Sequence, residues 1–133
     1  MKKYSTDNFH GYQLRASEDF WNLTPAQVSK IAFGCGPGKG WKEEIIPDII
    51  FGVNLNPACI IHDVEYHFGL TEDDKQEADK NFLSNMLEIN DTDTRFFLAG
   101  WLRRRIIFNY YSFVSDMGEV AFWSGKEIQT DGH

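Results

Sequence analysis

An all-α domain is what this sequence predicts, and three observations carry the prediction. Helix-start signals recur at Thr24-Pro25-Ala26-Gln27, at Asn56-Pro57, and at Thr71 followed by Asp74. Apolar residues at 97, 101, 108, 111 and 114 keep helical spacing through the last third of the chain. One glycine-rich loop, Gly34-Cys35-Gly36-Pro37-Gly38-Lys39-Gly40, separates the first two helices. The expected architecture is a short N-terminal helix, the glycine loop, two antiparallel helices and a long C-terminal helix.

Residues 1–22 show no clear period and read as a flexible arm that packs through Phe20 and Trp21. Thr24 then caps the first helix, with Pro25 at N1, Gln27 completing a capping box, and Leu23 and Val28 placed as a hydrophobic staple. That helix must stop near Phe33, because the glycine loop cannot continue it. From Trp41 to Asn56 the sequence reads as an extended segment or a packed loop, with Pro47 and Asp48 inside an apolar run. Asn56 and Pro57 open the second helix, which runs to Phe68 with Gly69 as a left-handed stop. Thr71 caps a third helix, with Asp74 at N3, that runs to about Ile89 and is broken by Asn90-Asp91-Thr92. The fourth spans roughly Asp93 to Met117 and is stopped by Gly118, and residues 124–133 read as a flexible tail. No internal repeat or low-complexity segment is present.

The chain has 133 residues with 13 Lys+Arg against 20 Asp+Glu, a formal net charge of −7. That length suits one domain, 1–133. The acidic balance argues against a nucleic-acid partner, which needs a basic stripe to neutralise phosphates. Two cysteines, Cys35 and Cys59, can make one bridge or none. The start Met1-Lys2-Lys3 lacks the apolar stretch of a signal peptide, and no apolar run approaches the length of a bilayer span. The expectation is cytoplasmic synthesis, with release, or delivery by a virion or secretion system, as the route to any target outside.

The glycine loop fails the phosphate-binding patterns. A Walker loop would need glycine where Phe33 stands and a hydroxyl where Gly40 stands, and a dinucleotide loop would follow a strand. Alternating glycines instead let successive carbonyls converge on a hard cation such as Ca²⁺, provided a carboxylate joins them, and a turn with no ligand is the plainer reading. On the second helix, His62 and Asp63 stand beside the apolar residues Ile60, Ile61 and Val64. Taken alone, His62 is a core histidine and Asp63 an exposed carboxylate. HDVEYH is not a zinc motif, since His62 and His67 are five apart and lie on different helix faces. The tight turn near residue 70 makes the second and third helices antiparallel, which sets His62 opposite Asp79. A carboxylate there can fix the imidazole tautomer and stabilise the imidazolium. Tyr66, one turn beyond His62, can donate to the same carboxylate, while Asp63 is turned about 100° away toward the glycine loop. The alternative is an interhelical polar pair that only fixes register.

GCGPG followed by ACIIHDVEY resembles the calcium loop and His-Asp-x-x-Tyr helix of the secreted phospholipase A2 superfamily, and EADKNFLSNML resembles its next helix. The resemblance covers residues 24 to 90 and is closest to the bacterial and viral-capsid branches. It implies Ca²⁺ held by the carbonyls of Gly34, Gly36 and Gly38 and the carboxylate of Asp63. It also implies His62 as general base on a water, Asp79 orienting it, Tyr66 bonded to Asp79, and the Gly36 N–H as an oxyanion donor. Cys35 and Cys59 match the cysteines that tie the loop to the catalytic helix, a disulfide candidate. The chain departs from the family in three places. Gly34 replaces a common aromatic residue, Ala58 replaces the cysteine before Cys59, and the Lys39–Pro57 stretch is longer than in compact members. The N-terminal arm and the fourth helix match nothing in the pattern.

The implied activity is calcium-dependent hydrolysis of the sn-2 acyl ester of glycerophospholipids at a membrane surface. Phe20, Trp21 and Trp41, with Lys39 and Lys42, are candidates for the interfacial rim, with core packing as their other role. Two further readings are a non-catalytic lipid- or protein-binding module on the same scaffold, and a structural or assembly protein of a virus or phage. Retention of both His62 and Asp63 favours the enzyme. Oligomeric state cannot be read from the sequence.

Overall fold

The computed structural model describes residues 2–32, 49–50, 53–92, 100–123 and 126. The chain is mostly helical, but it is not purely α. The residues read as an unstructured arm form an antiparallel hairpin, β1 (Tyr4–Phe9) and β2 (Tyr12–Ser17), in register from Tyr4 opposite Ser17 to Phe9 opposite Tyr12. Its two-residue turn, His10-Gly11, has φ of 55° and 89°. Both are positive, as a turn matching the right-handed twist of the strands requires. A second, minimal pair, β3 (Ile49–Ile50) with β4 (Val53–Asn54), precedes the central helices.

Two short helices follow the first hairpin, α1 (Glu18–Trp21) and α2 (Pro25–Ile31). The capping box expected at α2 is present: Thr24 Oγ1 accepts from the Gln27 N–H at 3.2 Å and Gln27 Oε1 from the Thr24 N–H at 2.8 Å. The central pair is α3 (Asn56–Phe68) and α4 (Glu72–Thr92). Leu55 rather than Asn56 is the N-cap of α3, and its stop, Gly69, is extended (φ −68°, ψ 143°) rather than left-handed. A Cβ on Gly69 would meet Phe122 at 2.5 Å, so the glycine serves close packing against the C-terminal helix. Thr71 and Asp74 exchange side-chain to backbone bonds at 3.1 and 3.2 Å, the expected cap of α4.

The last helix, α5 (Gly100–Trp123), runs through Gly118 instead of ending at it. Residues 93–99, the expected start of that helix, lie outside the described residues, as does the expected tail apart from Lys126.

Leu14 and Ala16 of β2, Ile61 and Val64 of α3, Phe82, Met86 and Ile89 of α4, and Ile107 and Val114 of α5 share one core. Each such aliphatic or aromatic side chain contributes about 1.5–3 kcal/mol by leaving water. Polar contacts then fasten the hairpin to this core. Asn85 of α4 accepts the Arg15 N–H and donates to the Arg15 carbonyl, both at 2.8 Å, standing in for a neighbouring strand along β2. Buried Glu65 accepts the Ser17 N–H at 2.7 Å and the Asn81 amide at 3.1 Å. Burial pushes the Glu65 carboxyl up to about 7, against those same hydrogen bonds, which favour its ionised form. Among the described residues, no helix is long and apolar enough to cross a membrane.

Candidate active site

Two antiparallel helices bring together residues seventeen apart in sequence. His62 leaves α3 and Asp79 leaves α4, and the imidazole Nε2 lies 2.8 Å from Asp79 Oδ1. Both side chains are removed from water, at 0% and 2% exposure. Tyr66, one helical turn after His62, donates its hydroxyl to the same Oδ1 at 2.7 Å. The contacts expected from the register of the hairpin are therefore present.

Packing as well as hydrogen bonding holds the imidazole. The His62 ring stacks on Phe82 of α4 at 4.5 Å with 29° between planes, and meets Tyr66 at 4.1 Å. Tyr66 in turn meets the edge of Phe122 from α5 at 5.2 Å. With an ionised carboxylate opposite Nε2, that nitrogen carries the proton in the neutral ring, so the basic lone pair is on Nδ1.

Asp79 has a second oxygen, and its partner is not among the residues the sequence motifs point to. Lys75, one turn earlier on α4 and only 2% exposed, donates from Nζ to Asp79 Oδ2 at 2.7 Å and to the Ser115 carbonyl of α5 at 2.9 Å. The i, i+4 spacing of Lys75 and Asp79 was the available signal. Burial alone would push the Asp79 carboxyl upward. Hydrogen bonds from His62, Lys75 and Tyr66, with the charge interaction with His62, overcome this and hold it below the usual aspartate range. The Tyr66 hydroxyl is pushed far up, first by burial and then by the neighbouring Asp79 charge. It acts here as a hydrogen-bond donor only.

Gly118 of α5, a helix stop by its sequence context, instead makes room for the site. A Cβ there would fall well inside contact distance of the Tyr66 hydroxyl, with Cζ at 3.3 Å. Only glycine lets Tyr66 occupy this place beside the helix.

Asp63 sits half-buried on α3, adjacent in sequence to His62. It offers one hard oxygen donor of the kind Ca²⁺ prefers, and to that extent the described residues fit such an ion. Its expected partners Gly34, Gly36 and Gly38 lie outside the described residues, as do Cys35 and Trp41. Among the described residues, no three His, Cys, Asp or Glu side chains gather as a metal cluster. Cys59 is fully buried and is not a free thiol. Phe20 belongs to the core at 3% exposure, which is the packing role of the two the sequence allows and not the exposed rim. Trp21 is half-buried, donating from Nε1 to the Ser5 and Ala16 carbonyls at 3.1 and 3.2 Å. Phe20 and Trp21 do line an apolar recess of about 600 Å³, together with Phe9, Leu23, Val28 and Ile60 of α3. No family model matches the chain, and no curated protein or solved structure is significantly similar to it.

Proposed function

We propose that this protein is a phospholipase A2-like hydrolase that cleaves the sn-2 acyl ester of glycerophospholipids with Ca²⁺ as cofactor. The observation that carries the reading is the contact of His62 Nε2 with Asp79 Oδ1 at 2.8 Å, with Tyr66 on the same oxygen, across the α3–α4 hairpin. It leaves the histidine oriented as a base, its charge compensated from behind.

In the proposed reaction Nδ1 of His62 takes a proton from a water whose oxygen attacks the ester carbonyl carbon. The developing imidazolium is stabilised by Asp79, which its three donors keep ionised. The tetrahedral adduct collapses with cleavage of the acyl C–O bond, and His62 returns the proton to the leaving glycerol oxygen. A bound Ca²⁺, held by Asp63 and by the carbonyls of Gly34, Gly36 and Gly38, would supply electrophilic stabilisation of the oxyanion alongside the Gly36 N–H. A Cys35–Cys59 bridge would tie that loop to α3. The apolar recess that includes Ile60 supports an apolar substrate, because a cavity of that size and lining suits a hydrocarbon chain. The substrate would be met at a membrane surface.

A second reading is favoured by the complete burial of His62. In it the His62–Asp79–Lys75 cluster is a polar knot that fixes the register of three helices, and the protein is a non-catalytic module on the same scaffold. Fatty-acid release from mixed phospholipid vesicles, with Ca²⁺ and with a chelator, separates the two. The hydrolase reading expects Ca²⁺-dependent release that His62→Ala abolishes. Release no greater than that of His62→Ala would leave only the packing role.

A further inference from the structure

We infer that Lys75 is a positioning residue of this site: it holds Asp79 by the oxygen that His62 does not use and anchors it to the backbone of α5. The inference deepens the hydrolase reading and rests on it for its functional meaning. Its structural basis is three contacts. Lys75 Nζ donates to Asp79 Oδ2 at 2.7 Å and to the Ser115 carbonyl at 2.9 Å, and Glu119 Oε1 stands 4.0 Å away. The Lys75 and Asp79 side chains are 3% and 2% exposed.

An ammonium group so placed does two things at once. A buried carboxylate has two oxygens to satisfy, and α3 supplies donors to only one of them, Oδ1. Without a donor on Oδ2 the buried charge is incompletely compensated, and the carboxyl takes up a proton instead. A protonated Asp79 keeps an acceptor on one oxygen and gains a donor on the other, and it loses the negative charge that locks the ring proton on Nε2. With the proton on Oδ1 it faces Nε2 of His62 with a hydroxyl and admits the opposite tautomer, Nδ1–H, which cannot accept a proton from water. Lys75 thus selects the working tautomer of a ring it does not touch. Through Ser115 it also makes α5 a part of the site. Gly118 does the same from the other side by admitting the Tyr66 hydroxyl, so α5 supports both oxygens of Asp79.

Lys75→Met tests this, because methionine fills most of the stem and removes the ammonium; Lys75→Gln is the second variant, polar enough to be tolerated if methionine prevents folding. Two quantities are measured on wild type and variant. One is kcat and KM for Ca²⁺-dependent fatty-acid release. The other is the His62 tautomer from the ¹⁵N shifts of its ring, which needs no activity. The expected result is a kcat lower by on the order of 10- to 100-fold with KM within about twofold, the range usual for a residue that orients an active-site group from behind. The neutral ring should shift from Nε2–H toward Nδ1–H. A folded variant that keeps both wild-type kcat and the Nε2–H tautomer overturns the inference. If wild type itself releases no fatty acid, the hydrolase reading is lost, while the tautomer still decides whether Lys75 positions Asp79.

Discussion

Gly118→Ala offers a sharp test of how the site is built, because two physical effects predict opposite signs. In the interior of a helix, alanine is more favourable than glycine by roughly 0.5–1 kcal/mol, so a Gly118 that is merely a weak helix residue predicts stabilisation. The structure predicts the reverse. The new methyl would overlap the Tyr66 hydroxyl and press on Cζ at 3.3 Å and Cε2 at 3.5 Å. Tyr66 has little room to retreat, since it is 6% exposed and wedged between His62 and Phe122. Moving it gives up the 2.7 Å bond to ionised Asp79, worth about 1.5–3 kcal/mol, and overpacking adds about 1–3 kcal/mol. Set against the helix gain, the net cost is about 1.5–5.5 kcal/mol. Urea unfolding at 25 °C reads this as a midpoint lowered by about 1–3 M, for a slope of about 2 kcal/mol/M. The control is Tyr66→Phe, which deletes the clashing atom and leaves the ring at a tight but tolerable 3.3 Å. In that background Gly118→Ala should cost no more than about 1 kcal/mol, a coupling of about 2 kcal/mol between positions 118 and 66. Equal costs in both backgrounds, or a gain in stability in the wild type, would refute the argument that Gly118 exists to admit Tyr66.

Three further outcomes can be measured. Glu65, raised from 4.5 to about 7 chiefly by burial, binds its proton more tightly folded than unfolded. Its contribution to stability is therefore greatest below about 4.5 and is lost as pH rises to about 7, by on the order of 3 kcal/mol at most. That window lies above the range in which Asp79 acts, whose lowered pKa makes stability fall only as pH drops below the usual aspartate value. Glu65→Gln should remove this slope, and a wild-type-minus-variant difference that stays flat between pH 4.5 and 7 would refute it. Asn85→Ala removes both 2.8 Å bonds to Arg15 and leaves strand groups unsatisfied, with an expected cost of about 2–4 kcal/mol in urea unfolding; a change under about 0.5 kcal/mol would show that β2 does not depend on this clamp. On the proposed calcium-dependent reading, Asp63→Asn should weaken calcium binding measured by calorimetry by at least tenfold, and an unchanged affinity would remove Asp63 from the proposed metal site.

The parts legible in the sequence are those whose causes are local. Capping residues at Thr24 and Thr71 act within one turn of themselves, and both caps form as the sequence predicts. A tight turn between two helices converts sequence separation into opposition by simple counting, which is why Asp79 could be placed against His62. The first hairpin was not legible, because β1 is polar and largely exposed and carries almost no alternation. What holds β2 in place comes from Asn85, seventy residues from Arg15, and from Glu65, forty-eight from Ser17. Gly118 shows the same limit in a single residue. A glycine at the end of a helically spaced apolar pattern reads as a stop, and only the position of Tyr66 in space turns it into a packing requirement. Lys75 was hidden for another reason: in a helix opening Glu72-Asp73-Asp74, a lysine reads as one more solvated charge.

Physical cost bears on the choice between an active site and a polar knot. Lys75, Asp79 and His62 take an ammonium, a carboxylate and an imidazole out of water at the junction of α3, α4 and α5. Desolvating two ions costs several kcal/mol each, and apolar residues of similar volume at such places are often as stabilising or more so. The neighbours Phe82, Met86, Val64 and Val114 show that these helices can pack without charge. A knot needed only for register would require one polar pair. Here a single carboxylate receives three donors, two on one oxygen and one on the other, from side chains on two helices, and its charged donor is fixed to a third. That arrangement holds Asp79 ionised and oriented, which packing does not demand and which the proposed general-base role of His62 would use.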